Sequence, residues 1–148
     1  LDRLDSIRSS DGVGPRIIFA TPSGERHDLG LLVASLVAAS KGADLVFLGA
    51  EVPVEDLTLA EEGSRANVLD LGFVTEGSND VAGCLKNVRR RRGQRVTLWG
   101  GGRGMTRVES VSGVDRIEYF DRLDAFVPEA RGNDYASTQQ PLVWGGAS

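Results

Sequence analysis

The feature that most constrains this sequence is an alternation of short apolar runs, each stopping at glycine or proline, with longer segments of helical period. Arg16-Ile17-Ile18-Phe19-Ala20 ends at Pro22-Ser23-Gly24, and Asp44-Leu45-Val46-Phe47-Leu48 ends at Gly49. Val68 to Phe73, Arg95 to Trp99 and Arg116 to Phe120 repeat the pattern. Runs this short, with no period-two alternation, suit strands buried on both faces. Between the first two, Leu29, Leu32, Val33, Leu36 and Val37 follow i, i+3, i+4, i+7, i+8, which predicts a helix with these residues as its buried face. Gly42 closes it. Val54 to Gly63, opened by Glu55 and Asp56, and Val81 to Arg92 predict two more helices. Met105 to Val111 reads as a short helix and Leu123 to Val127 as the start of a last one.

Five strands alternating with helices predict an α/β fold, a five-stranded parallel doubly wound sheet of Rossmann or flavodoxin-like type with flanking helices. A length of 148 residues suits one such domain and not two. The domain is expected over residues 16–130. Residues 1–15 are polar and reach Gly12, Gly14 and Pro15, so they read as a linker or the end of a preceding helical segment, with the chain one module of something larger. Residues 131–148 are dominated by small polar residues and read as a flexible tail, in which Trp144 suggests a docking point.

Charge and cysteine content narrow the function. A net charge of −4 argues against direct nucleic-acid binding by this segment, which needs a basic face. The one dense basic run, Arg89 to Arg92, falls at a predicted helix end, where it complements the helix dipole and reads as a solvated face. Cys84 is the single cysteine, so no internal disulfide or cysteine metal cluster forms, which fits a cytoplasmic location. No stretch approaches the ~18 consecutive apolar residues of a membrane span.

In open parallel sheets, ligands bind beyond the carboxyl ends of the strands, where the strand order reverses. Three unusual segments sit at such ends: Gly24 to Gly30, Leu71-Gly72-Phe73-Val74 and Trp99-Gly100-Gly101-Gly102. The first holds His27, the only histidine. A lone histidine is most often a surface or satisfied core residue. One imidazole cannot build a zinc site, so if His27 serves a metal, that metal must bring its other ligands in a macrocycle such as a corrin or haem. Glu25, two residues earlier, can accept from the far ring nitrogen and fix the tautomer, or can simply be an acid near a helix start. Asp28 has the latter reading, and with Arg26 it flanks the histidine. Gly30 lacks a Cβ where a helix begins, which lets a ligand or another backbone approach. The glycine triplet permits the same, or is a plain tight turn; no Lys-Ser/Thr pair follows it, so it is not a phosphate loop.

Together these residues resemble a known family. Glu25-x-His27-x-x-Gly30 is similar to the Asp-x-His-x-x-Gly motif of cobalamin-binding domains, with Glu for Asp. Gly72-Phe73-Val74 falls where that family carries Ser-x-Leu, and Gly100 to Gly102 where it carries Gly-Gly. The resemblance spans about Arg16 to Ala130. It implies cobalamin bound base-off, with His27 replacing dimethylbenzimidazole as lower axial ligand of cobalt and Glu25 orienting it. Gly30, Gly72, Val74 and Gly100, Gly101 and Gly102 would line a channel for the displaced nucleotide tail. Val52 and Pro53, beyond the second strand, would lie near the corrin edge.

Gly72 in place of serine removes a hydroxyl that would extend the hydrogen-bond relay behind the histidine, on which methyl-transferring corrinoid proteins rely. Glu25-x-His27-x-x-Gly30 with Leu48 to Leu57 looks more like the sensory domains of light-responsive MerR-type regulators and related antirepressors. The resemblance therefore implies a sensory or photoreceptor module tied to transcription, not an enzyme, with an attached helical or DNA-binding module or a protein partner. A corrinoid carrier for methyl transfer and a domain that has lost its cofactor are the competing readings.

Overall fold

The computed structural model describes residues 14–75, 78–92 and 95–117. The elements run β1 (Arg16–Pro22), α1 (Leu29–Ser40), β2 (Asp44–Val52), α2 (Val54–Ser64), β3 (Val68–Gly72), α3 (Ser78–Arg92), β4 (Thr97–Gly101), a 3₁₀ turn (Arg103–Arg107) and β5 (Val114–Ile117). The five strands form one sheet in the order β2-β1-β3-β4-β5, and every adjacent pair is parallel. This is the doubly wound fold that the alternation predicts. The order reverses between β1 and β3, so the carboxyl ends of those strands frame the natural ligand crevice.

Each face of the sheet has its own core. Ile18, Leu69, Leu71 and Leu98 pack with Leu57, Val81, Leu85 and Met105 on the α2 and α3 side. Ile17, Phe19, Val68, Trp99 and Ile117 pack with Leu31, Ala34 and Ala38 of α1 on the other. Fully buried side chains such as Ile17, Ile18 and Phe19 each contribute about 1.5–3 kcal/mol of transfer free energy.

The structure turns α1 away from its expected face. Leu31, Ala34, Ser35 and Ala38 are buried, whereas Leu29 is 72% and Leu36 46% exposed, with Val33 also exposed. Both sets repeat at i, i+3, i+4, i+7, because Leu29–Ser40 is apolar nearly all round. The small alanine and serine side goes inward because it lets the helix lie close to the sheet.

Three other expectations shift. The fourth strand starts two residues later and includes Gly100 and Gly101. The short helix expected over Met105 to Val111 is the 3₁₀ turn Arg103–Arg107. The basic run is not simply solvated. Arg92 is buried and ion-pairs with Glu61 and Glu62 of α2, while Arg91 pairs with Glu55 at 3.2 Å. Arg89 donates to the carbonyls of Val96 and Gly113. The run thus ties α3 to its neighbours. The readings of 1–13 and 118–148, including the last helix and the tail, lie outside the described residues.

Among the described residues, no helix is long and apolar enough to cross a membrane.

Candidate functional site

The loop after β1 opens with a tight turn in which Glu25 N–H donates to the Pro22 carbonyl at 3.0 Å. Gly24, at the third position of that turn, has φ +92°, a value glycine adopts without steric cost. The far end of the loop is pinned by β2. Two register shifts against β1 bulge β2 and bring Glu51 into a left-handed conformation at φ +55°. Its N–H then donates to Thr21 Oγ1 at 3.0 Å and to the Glu25 carbonyl at 3.3 Å, while Thr21 Oγ1 donates to that same carbonyl at 2.5 Å.

This scaffold buries the Glu25 carboxylate completely, at 0% exposure. Its Oε1 accepts from His27 N–H and His27 Nδ1, both at 3.0 Å. Its Oε2 accepts from Val74 N–H at 2.8 Å, Thr75 N–H at 2.7 Å and Thr75 Oγ1 at 3.1 Å. Burial alone would push this carboxyl up. The backbone donors of Thr75, Val74 and His27, with the imidazole, outweigh it and hold the carboxyl down at about 2. Glu25 is therefore no helix-start acid but an ionised anchor for the ring. Because the carboxylate only accepts, it keeps a proton on Nδ1 and, in the neutral ring, a lone pair on Nε2. Thr75 also supplies a hydroxyl behind the carboxylate, the chemical element that Gly72 removes.

The His27 side chain is 61% exposed and stands at the mouth of a cavity of about 550 Å³. Gly30, Leu31 and Ala34 of α1 wall one side; Gly72, Val74, Gly101 and Gly102 wall the other. A Cβ at Gly30 would meet nothing within 4 Å and so would project into open space. Gly102 has φ +91°, and a Cβ there would fall 2.3 Å from the Phe73 carbonyl oxygen, so this turn admits only glycine without rearrangement.

Several residues singled out from the sequence stand elsewhere. Gly100 faces the opposite side of the sheet, where a Cβ would fall 2.8 Å from Met105 Cε. Val52 packs in the core under α2, and Pro53 is exposed at the N-cap of that helix; neither lines the cavity. Arg26 is exposed and reaches Glu51 at 3.6 Å. Asp28 sits at the N-cap of α1 with no side-chain capping bond.

Asp70 was not foreseen. It lies on β3 in a row with Phe19, Trp99 and Asp115 across four strands, is 3% exposed, and borders the cavity. Its Oδ1 has no hydrogen-bond partner among the described residues. Burial pushes its carboxyl up to about 7. The signal was visible in the sequence as a charged residue inside the apolar run Val68-Leu69-Asp70-Leu71 of a central strand.

No family model matches the chain. Over 78 residues it is 41% identical to the HTH-type transcriptional repressor CarA of Myxococcus xanthus, a match covering 52% of this chain and 27% of the repressor. Its structure is similar to that in the methanol:cobalamin methyltransferase complex MtaBC from Methanosarcina barkeri, with a TM-score of 0.70 and 15% identity over 84% of this chain and 49% of that one. The Methanosarcina barkeri monomethylamine corrinoid protein gives a TM-score of 0.61 and 17% identity over 84% and 60%. At these identities the likeness establishes a shared fold. The chain spans about a quarter of the repressor's length and half to three-fifths of the two solved chains.

Proposed function

We propose that this chain is a cobalamin-binding domain that takes the cofactor base-off, with His27 Nε2 as lower axial ligand of cobalt, and that it acts as a sensory or regulatory module and not as a catalyst. The observation that carries the reading is the pair of a fully buried, ionised Glu25 and an imidazole held at a cavity mouth with its Nε2 lone pair available. Among the described residues, no group of three or more His, Cys, Asp or Glu could hold a metal ion. A metal served by His27 must bring its equatorial ligands with it. A corrin does so, and supplies a cobalt whose upper ligand can exchange.

The residues fit such a group. His27 would hold the metal and Glu25 would fix the ring, with the exposed Arg26 and the N-cap residue Asp28 flanking the imidazole in the loop, whereas Val52 and Pro53 stand away from the cavity. Gly30, Gly72, Gly101 and Gly102 leave room for a tail beneath the macrocycle. The regulatory half of the reading is supported by the identity with a transcriptional repressor, which implies an attached DNA-binding module as partner. A corrinoid carrier is the second reading, favoured by the Thr75 hydroxyl behind Glu25 and by the fold shared with corrinoid proteins.

Titration with hydroxocobalamin, followed by visible absorption, tests the reading. A saturable band shift is expected in the parent chain and its loss in His27→Ala. A parent chain that leaves the spectrum unchanged refutes cobalamin binding, and an unaltered His27→Ala spectrum refutes the axial role. Illumination of the adenosylcobalamin complex should change its spectrum if light is the signal. Methylation of the reduced corrinoid by a partner enzyme would favour the carrier.

A further inference from the structure

We propose that residues 1–8 form a short helix that lies parallel to α1 and covers its outer apolar face, so that α1 is held between this arm and the cavity it walls. The inference concerns the back of that helix and does not depend on what fills the cavity.

α1 carries no charged residue. Within Leu29–Ser40 only Ser35 and Ser40 are polar, and Ser35 is buried. The inner side, Leu31, Ala34 and Ala38, packs on the sheet. The outer side presents Leu29, Val33 and Leu36 at i, i+4, i+7, exposed by 72%, 37% and 46%. Among the described residues, these three and Leu59 of α2 are the exposed large apolar side chains. Three of the four on one helix stripe make a patch, not the single scatter of a solvated surface.

The point where the chain enters the sheet decides what lies within reach. Gly14 meets the foot of α1: a Cβ on it would collide with the Gly42 carbonyl oxygen, and Gly42 N–H donates back to the Ala39 carbonyl of the helix at 3.0 Å. Residues 1–13 therefore start from that foot. Leu1, Leu4 and Ile7 recur at i, i+3, i+6, which is one side of a helix and not the alternation of a strand. Ser9-Ser10-Asp11-Gly12 is a turn-forming run that lets the chain reverse into β1. β1 and β2 are parallel, so α1 between them runs opposite to β1, and an arm that reverses into β1 runs parallel to α1.

The dimensions agree. Leu1 to Ile7 would rise about 9 Å and Leu29 to Leu36 about 10.5 Å, so the stripes match. Five residues, Ser9 to Val13, reach up to about 17 Å, enough to cross the ~8–10 Å between packed helix axes while climbing the ~9 Å from Gly42 to Leu36. Arg8 then comes level with the last turn of α1, which has no basic residue and favours a cation. Other occupants fit less well. Residues 118–148 depart from Ile117, on the far edge strand and at the opposite end of the sheet. A second copy seated on three partly exposed side chains falls well short of the ~800 Å² per partner of a stable pair.

Cross-linking and hydrogen exchange in the 148-residue chain test the proposal. In a Cys84→Ser background, Leu4→Cys with Val33→Cys should form a disulfide within one chain under mild oxidation, whereas Leu4→Cys with Leu59→Cys, across the sheet, should not. In the parent, the amides of residues 5–8 should be protected. Leu36→Asp should lower that protection about tenfold or more while β1 amides change less than about twofold. Failure of the first pair to bridge, or equal bridging by the second, overturns the proposal. Bridges formed only between chains overturn it in favour of a second copy. Parent arm amides that exchange like an unfolded chain overturn it as well. Protection lost at residues 119–127 in Leu36→Asp, with the arm unaffected, would assign the stripe to that segment instead.

Discussion

Replacing Glu25 by glutamine changes one atom and should expose how the imidazole is held. Both carboxylate oxygens receive only donors: His27 N–H and Nδ1 on Oε1; Val74 N–H, Thr75 N–H and the Thr75 hydroxyl on Oε2. A glutamine must place its NH₂ at one of these positions. At the second it meets two backbone N–H groups; at the first it meets one, and draws the ring into the tautomer that blocks Nε2. Each buried donor left unpaired costs about 1–3 kcal/mol. The titration behaviour gives a second route to the magnitude. A carboxyl at about 2 in place of its ordinary 4.5, at about 1.4 kcal/mol per pH unit, contributes about 3 kcal/mol to folding. Because the folded value lies below the ordinary one, that contribution is fully present above about pH 4.5 and fades as the pH falls towards 2. Urea unfolding of both proteins, read by circular dichroism from pH 7 down to pH 3, should show a gap of about 3 kcal/mol at neutral pH that at least halves by pH 3. A neutral-pH gap below about 1 kcal/mol, or one indifferent to acidification, would refute the reasoning.

Asp70 should behave in the opposite sense: its folded value of about 7 lies above the ordinary 3.8, so its ionisation opposes folding increasingly from pH 3.8 to 7. Asp70→Leu should therefore stabilise the cofactor-free chain at pH 8, by up to about 4 kcal/mol, and by little at pH 4; equal effects in urea melts at the two pH values would contradict this. Gly30→Ala should stabilise the helix by about 0.5–1 kcal/mol, since its Cβ clashes with nothing, yet weaken cobalamin binding by narrowing the mouth. Thermal melts and absorption titrations read the two effects separately, and a variant that binds as tightly as the parent removes Gly30 from the site. Arg92→Ala leaves Glu61 buried without its partner and should cost about 3 kcal/mol in denaturant unfolding; a loss under 1 kcal/mol would mean that water reaches Glu61.

The parallel sheet was legible because buried strands and their glycine stops depend on local sequence alone. The phase of α1 was not. Leu29-Gly30-Leu31-Leu32-Val33 offers apolar side chains in every direction, and the choice of the Leu31–Ala34–Ala38 side depends on how closely the helix approaches the sheet. Gly100 and Gly101 read as a loop because glycine usually interrupts strands, whereas here they extend β4. The Glu25–His27 pair could be read from its spacing, but Val74 and Thr75 lie some fifty residues away and reach it only through the fold. Arg92 likewise looks solvated until α2 delivers Glu61 and Glu62 to it. Asp70 needed no long-range knowledge; a lone acid within an apolar strand was already anomalous.

Three of the five hydrogen bonds on the Glu25 carboxylate come from main-chain N–H groups, those of His27, Val74 and Thr75. Such donors do not depend on which side chain the residue carries. Positions 26, 28 and 74 can therefore be randomised in a library without dismantling the anchor, provided proline is left out, since at 74 it would delete a donor. For protein engineering this separates two tasks: the geometry of the His27 imidazole stays fixed while the surroundings of the cavity mouth are reprogrammed.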